Sequence, residues 1–90
     1  MQVKSIYTVR HKALIRLLKT YRQAAGLRQV DVARHLGRAQ WWISYVEKGR
    51  RRIDVIELLD LAAAIRRKGW RILREVEERN ARNARTGARR

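Results

Sequence analysis

Residues 29–48 read QVDVARHLGRAQWWISYVEK, and this stretch decides the fold. Apolar residues in its first part recur at helical spacing, which predicts a short helix over residues 29–36. Gly37 ends that helix, because the left-handed conformation of a helix C-terminus costs glycine no steric penalty. A second short helix is predicted over residues 40–48, with Gly49 at its end. Two short helices around a glycine turn are typical of a helix-turn-helix. The residues expected to face inward from the first of them are Val32, Ala33 and Leu36.

A longer helix is predicted upstream, over residues 10–25. Its apolar residues follow the spacing of a single helix face. Thr8 or Ser5 could cap its start, and Gly26 is placed to end it. The residues of this face are Leu14, Leu17, Leu18, Tyr21 and Ala25.

Two further helices are predicted downstream of the helix-turn-helix. Asp54 caps a fourth helix, and Gly69 breaks the pattern before a fifth helix that fades near Asn80. The chain contains no proline, which favours an all-helical protein. The predicted fold class is all-α, a compact bundle of four to five helices. The fourth helix shares a face formed by Val55, Leu58, Leu59, Ala62 and Ile65, and the fifth is suggested by Trp70, Leu73 and Val76. We expect an N-terminal arm at residues 1–9, a domain at 10–79 and a basic flexible tail at 80–90.

Composition excludes several classes of protein. The chain has 90 residues, 46% of them hydrophobic, which is enough for one small core. It has no cysteine, and His11 and His35 are too far apart to suggest a metal centre. No nucleophile–base pair, glycine-rich phosphate loop or carboxylate pair stands out, so we expect neither an enzyme nor a cofactor. No apolar run approaches the ~20 residues of a membrane span, and the opening residues lack a secretory signal, so a cytoplasmic location is expected.

Charge is the outlying property of the sequence. Lys and Arg number 23 against 8 Asp and Glu, a formal net charge of +15 that predicts a polyanionic partner such as nucleic acid. Residues 1–53 carry +11 and residues 66–90 carry +7, whereas residues 54–65 carry −3. A helix packed away from DNA would have the composition of that acidic segment, although a chance cluster is the alternative.

Residues 14–65 resemble the lambda repressor/Cro (XRE-type) helix-turn-helix family. This resemblance implies a lambda-repressor-like fold that binds double-stranded DNA, with the third helix in the major groove. It also implies that Gln29 bonds a phosphate, and that Arg22 and Glu47 form a pair linking the first and third helices. The alternatives are an ordinary N-terminal helix residue for Gln29, and exposed, independent side chains for Arg22 and Glu47. The residues that carry the resemblance are Arg22, Gly26, Leu27, Gln29, Val32, Ala33, Leu36, Gly37, Gln40, Ile43, Ser44, Glu47, Gly49, Leu58 and Ala62.

Helix geometry divides the third helix into two sides. Ile43 and Val46 are apolar and three residues apart, so they should face the core. Trp42 lies between the two sides and is expected in the core. The candidates for contact with DNA bases are Gln40, Trp41, Ser44 and Tyr45. Glutamine can bond an adenine edge in bidentate fashion, whereas the tryptophan suits a thymine methyl or a sugar edge. The alternative for Trp41 and Tyr45 is a surface aromatic without contact to DNA.

Basic residues around this helix are candidates for contact with the phosphate backbone. Three successive arginines, residues 50–52, directly follow the helix and are well placed for such contacts. Arg28 and Arg38 border the two short helices, and Lys48 ends the second. A solvated surface is the alternative for each of these side chains.

The sequence therefore predicts a sequence-specific DNA-binding transcriptional regulator, a repressor that binds a two-fold operator as a homodimer. Trp70, Leu73 and Val76 are the dimer candidates, and packing of this segment onto its own core is the alternative. A second hypothesis is the antitoxin of a toxin–antitoxin pair, with a toxin protein as partner. A third is a basic architectural protein that binds DNA without sequence preference.

Overall fold

The structure is a computed structural model that describes residues 8–86. Within this range the chain forms α-helices and no strands. The all-α fold class is therefore confirmed. The five helices are α1 (Val9–Ala24), α2 (Gln29–Leu36), α3 (Gln40–Glu47), α4 (Val55–Ala64) and α5 (Gly69–Thr86).

Local cap chemistry sets the helix starts. The Thr8 hydroxyl accepts the backbone N–H of His11 at 3.1 Å, so Thr8 caps α1, while the alternative cap, Ser5, lies outside the described residues. Asp54 accepts the N–H of Glu57 at 2.7 Å, and the Glu57 carboxylate accepts the N–H of Asp54 at 2.9 Å. This reciprocal pair is a capping box, which satisfies two backbone donors at the start of α4.

Left-handed glycines set three of the helix ends. Gly26, Gly37 and Gly49 have φ of 73°, 68° and 74° at the ends of α1, α2 and α3. The three glycine stops predicted from the sequence are thus confirmed. In the turn between α2 and α3, this conformation reverses the chain within a few residues and brings the two short helices together.

The core lies where α1, α3, α4 and α5 meet, with α2 packed against α3 and α4. Trp42, Ile43 and Val46 of α3 are all buried, as predicted. Burying a large apolar side chain contributes roughly 1.5–3 kcal/mol, so this core anchors α3 from behind. The other buried hydrophobic residues are Ile15, Leu17, Leu18, Val32, Ala33, Leu58, Leu61, Ala62, Ile65, Ile72 and Val76.

The inward face of α4 differs from the predicted one. Val55 and Leu59 are 65% and 46% exposed, whereas Leu61, which the prediction omitted, is buried. The sequence of this helix, VIELLDLAAA, is apolar on nearly every side. Periodicity alone therefore could not single out one face, and the packing of α2 and α5 against the helix selects it.

The start and end of α5 also differ from the prediction. Gly69 begins the helix, and the chain breaks earlier, at Arg66, whose φ is 63°. The helix continues to Thr86 and does not fade near Asn80. The i,i+4 ion pairs Arg74–Glu78 and Glu75–Arg79 support its exposed length. Residues 80–86 of the predicted flexible tail are thus helical. The rest of that tail, and residues 1–7 of the predicted arm, lie outside the described residues.

Two further properties follow from the described helices. None of the helices in residues 8–86 combines the length and apolarity needed to cross a membrane. Over the same residues, no three histidine or acidic side chains are grouped so that they could hold a metal ion.

Candidate nucleic-acid interface

A buried ion pair joins α1 to α3. Arg22 Nε lies 2.5 Å from Glu47 Oε2, and Arg22 Nη2 donates to Glu47 Oε1 at 3.0 Å. The Arg22 Nη1 also donates to the Leu27 carbonyl at 2.7 Å. The two side chains are only 10% and 7% exposed. A bidentate pair in such a place is directional, so it fixes the orientation of α3 on α1.

The same network extends towards the starts of α2 and α3. The Gln29 side-chain Nε2 donates to Glu47 Oε1 at 2.9 Å, and the Gln40 Nε2 lies 3.4 Å from the side-chain Oε1 of Gln29. The first contact is a firm hydrogen bond and the second is long and weak. Gln29 is therefore held from the core side, while Gln40 remains exposed and free to turn towards a ligand.

The outer face of α3 presents aromatic side chains to solvent. Trp41 and Tyr45 are 62% and 48% exposed, and their rings meet edge to face with centroids 5.7 Å apart. Ser44 lies beside them, half-buried. The structure thus brings the four predicted base-contacting residues to one face, opposite Ile43 and Val46.

Two of the predicted phosphate ligands are held by the protein itself. The guanidinium of Arg38 lies 3.9 Å from the centroid of the Trp42 ring, and that of Arg51 lies 5.2 Å from it. Both arginines also bond Glu57, at 3.3 Å and 3.2 Å. Sequence reasoning missed Glu57, because its partners lie up to 19 residues away. Its carboxylate and the tryptophan ring orient both arginines beside α3.

The remaining basic candidates lie at the ends of the two short helices. Arg28 bonds Asp31 through both backbone and side chain, and its guanidinium and then its N–H lower the pKa of Asp31 to about 2. Lys48 and Arg50 are exposed after α3, and so is Arg52. Lys48, Arg50 and Arg52 therefore place positive charge in the segment that directly follows α3.

The predicted dimer candidates are not all available to a partner. Val76 is 5% exposed and packs within the chain, which corrects that part of the predicted set. Trp70 and Leu73 are 54% and 40% exposed. The packing alternative therefore holds for Val76, while the other two stay on the surface.

Comparisons with known proteins agree with this architecture. The family model of a helix-turn-helix domain matches residues 13–69, which is more than half of the chain. A solved structure described as an XRE-family like protein from Pseudomonas syringae pv. tomato str. DC3000 is 39% identical, with a TM-score of 0.74 over 77% of this chain and 84% of that chain. A comparison with curated proteins finds no match. With its helix-turn-helix at α2 and α3 and these similarities, the chain belongs to the XRE-type helix-turn-helix family of DNA-binding transcription regulators.

Proposed function

We propose that the protein is a repressor that binds a two-fold DNA operator as a homodimer and reads bases with α3. The observation that carries this proposal is the exposed face of α3, where Gln40, Trp41 and Tyr45 project away from a rigid core. Large aromatic side chains exposed on a helix whose other side is buried are suited to contact with a partner.

Base discrimination requires side chains that reach base edges, because the charge of the chain attracts every DNA sequence. Gln40 can bond an adenine in bidentate fashion, a contact that discriminates by roughly 1–3 kcal/mol. Trp41 offers one N–H and an apolar ring that fits a thymine methyl. Ser44 and Tyr45 lie on the same face and complete the proposed reading surface.

The proposed phosphate contacts surround that surface. Gln29, Arg28 and Arg38 lie at the starts of α2 and α3, and Lys48 and residues 50–52 follow α3. Arg38 and Arg51 keep donors beyond those bonded to Glu57, since each guanidinium carries five N–H groups. Their stacking on Trp42 reduces the conformational entropy that binding would cost.

A homodimer accounts for the apolar surface shared by α4 and α5. Leu59 lies so close to Gly69 that a Cβ there would approach Leu59 Cδ2 to 2.7 Å, so Leu59 and Trp70 belong to one patch. Residues 54–65, which include α4, carry −3 in a chain of +15, and the exposed Asp60 of α4 contributes to this local charge. Two copies can therefore approach here with the least repulsion. The exposed apolar residues of these two helices, which the proposed dimer would cover, are Val55, Ile56, Leu59, Trp70 and Leu73.

The proposed reading surface is tested by Gln40→Ala and Trp41→Ala. We expect each variant to lose tenfold or more in affinity for an operator selected from random DNA, and to bind scrambled duplexes nearly as well as wild type. Gln23→Ala, an exposed glutamine of α1, is the matched control, since it also removes an amide without changing net charge. If each variant lost the same affinity for both duplexes, or lost none, α3 would not be the helix that recognises bases.

The homodimer is tested by sedimentation of the purified chain. We expect a dimer that Leu73→Glu dissociates, whereas Trp41→Ala leaves it intact. A wild-type chain that stays monomeric at every concentration would contradict the homodimer. The same patch would then favour the antitoxin hypothesis, in which a toxin covers it.

A further inference from the structure

A basic cavity lies beside α5, and one of its lining residues, Arg71, stacks on the ring of Trp70 at 5.1 Å from the centroid. It has a volume of about 520 Å³ and opens between the end of α1, the loop after α4, and α5. Four of its lining residues are cationic and one is acidic. The polar residues that line it are Tyr21, Arg66, Arg67, Lys68, Arg71 and Glu75.

The one acidic residue that lines the cavity, Glu75, is bonded to Tyr21 and Arg79. The Tyr21 hydroxyl donates to Glu75 Oε1, and Arg79 Nη2 donates to Glu75 Oε2 at 3.3 Å. The hydrogen bond to Glu75, together with burial, raises the pKa of Tyr21, so this hydroxyl stays protonated as a donor. Arg67 in turn lies 4.1 Å above the centroid of the Tyr21 ring. These contacts hold Tyr21, Glu75 and Arg67 in position on one wall of the cavity.

The cations themselves have no acidic partners. In the described part of the chain, none of Arg66, Arg67, Lys68 and Arg71 makes an ion pair. Four like charges around one cavity repel one another, and an anion between them would relieve that repulsion. The N-terminus of α5, which begins at Gly69 beside this loop, adds to the positive potential.

Arg66 has a left-handed backbone conformation, which usually favours glycine. Its φ of 63° makes it the one non-glycine residue with positive φ among residues 8–86, whereas the ends of α1, α2 and α3 all have glycine in this conformation. A side chain in the left-handed region carries steric strain. Strain retained at a cavity of unpaired cations points to a use for the guanidinium.

We propose that this cavity binds a phosphate group through Arg66, Arg67, Lys68 and Arg71. Arginine forks match phosphate oxygens in bidentate geometry. Arg67 is positioned by stacking on the Tyr21 ring, and the hydroxyl of that tyrosine is bonded to Glu75. The phosphate comes either from a phosphorylated small molecule or from the DNA backbone. Both sources present the same oxygens to the cavity.

In the first experiment, inorganic pyrophosphate is titrated into the full chain and the backbone amide chemical shifts are followed by NMR. We expect saturable shifts centred on residues 66–71. Arg66→Gly should weaken the binding at least fivefold without lowering Tm, because glycine adopts the same φ without strain. Arg74→Ala, which removes one charge from an exposed site on the same helix, should leave pyrophosphate binding unchanged.

The second arm measures how the affinity for random DNA depends on salt. If the cavity binds a phosphate of the DNA backbone, Arg66→Gly should reduce the magnitude of the slope of log K against log salt by about 1, and Arg74→Ala should not. If the cavity binds a phosphorylated small molecule instead, Arg66→Gly and Arg74→Ala should have equal salt slopes for DNA, while pyrophosphate still saturates the wild-type cavity. The proposal is overturned if the pyrophosphate shifts do not saturate, or if Arg66→Gly binds both pyrophosphate and DNA as Arg74→Ala does, since the cations are then an ordinary solvated surface.

Discussion

Replacing Arg22 by alanine removes the guanidinium that holds α3 on α1. Three donor contacts are lost: two to the Glu47 carboxylate, at 2.5 Å and 3.0 Å, and one to the Leu27 carbonyl at 2.7 Å. Glu47 stays behind with a side chain that is 7% exposed. The variant therefore leaves a buried carboxylate without its cation, which is the costly half of breaking a buried pair.

The magnitude follows from what remains around Glu47. Leaving one partner of a buried ion pair costs ~3–5 kcal/mol. The Gln29 amide still donates to Glu47 at 2.9 Å, and water can enter the space vacated by the arginine. These two effects lower the expected loss to ~2–4 kcal/mol of unfolding free energy. At ~4–8 °C per kcal/mol for a domain of this size, Tm should fall by about 8–32 °C.

Urea denaturation and thermal melts followed by circular dichroism measure this loss. Arg74→Ala is the control, because its exposed i,i+4 pair with Glu78 is worth only ~0.3–0.5 kcal/mol. Replacing both partners, with Arg22→Met and Glu47→Leu together, should recover much of the stability, since no charge is then stranded. An Arg22→Ala variant that melts within error of wild type would refute the reasoning.

Three further outcomes are expected. Replacing residues 50–52 by alanine should weaken binding to operator DNA and to random DNA alike. The magnitude of the slope of log K against log salt should fall by about 1 for each lost phosphate contact, and an unchanged slope would mean that the three arginines are a solvated surface. Burial, and then the charge of Arg52, lowers the pKa of His11, so the unfolded chain takes up a proton before the folded chain does. Stability should therefore fall as pH drops from about 7 to about 5, and His11→Leu should flatten that fall in urea titrations at the two pH values, whereas an equal fall in both proteins would contradict the argument. Gly37→Ala should cost ~1–2 kcal/mol by the same titration, because φ is 68° and a Cβ there meets no atom within 4 Å, so strain alone acts; a neutral variant would mean that the turn relaxes.

The sequence by itself determined the features that depend on neighbouring residues. The caps at Thr8 and Asp54 and the glycine ends at Gly26, Gly37 and Gly49 need only a hydrogen bond or a backbone angle within a few residues. Such local chemistry acts in any fold, so the starts of α1 and α4 and the ends of α1, α2 and α3 could be located without tertiary information. The buried side of α3 was also predictable, because Ile43 and Val46 are aliphatic and lie three residues apart on one face of the helix.

The tertiary structure alone decided features that depend on residues far apart in the chain. Periodicity could not choose the buried face of α4, since most of its sides are apolar, and packing against α2 and α5 exposed Leu59 and buried Leu61. Glu57 reaches Arg38 and Arg51 only when α4 lies beside the start of α3. The basic cavity forms where α1, α5 and the loop after α4 meet, because packing places Tyr21 beside Glu75, 54 residues away.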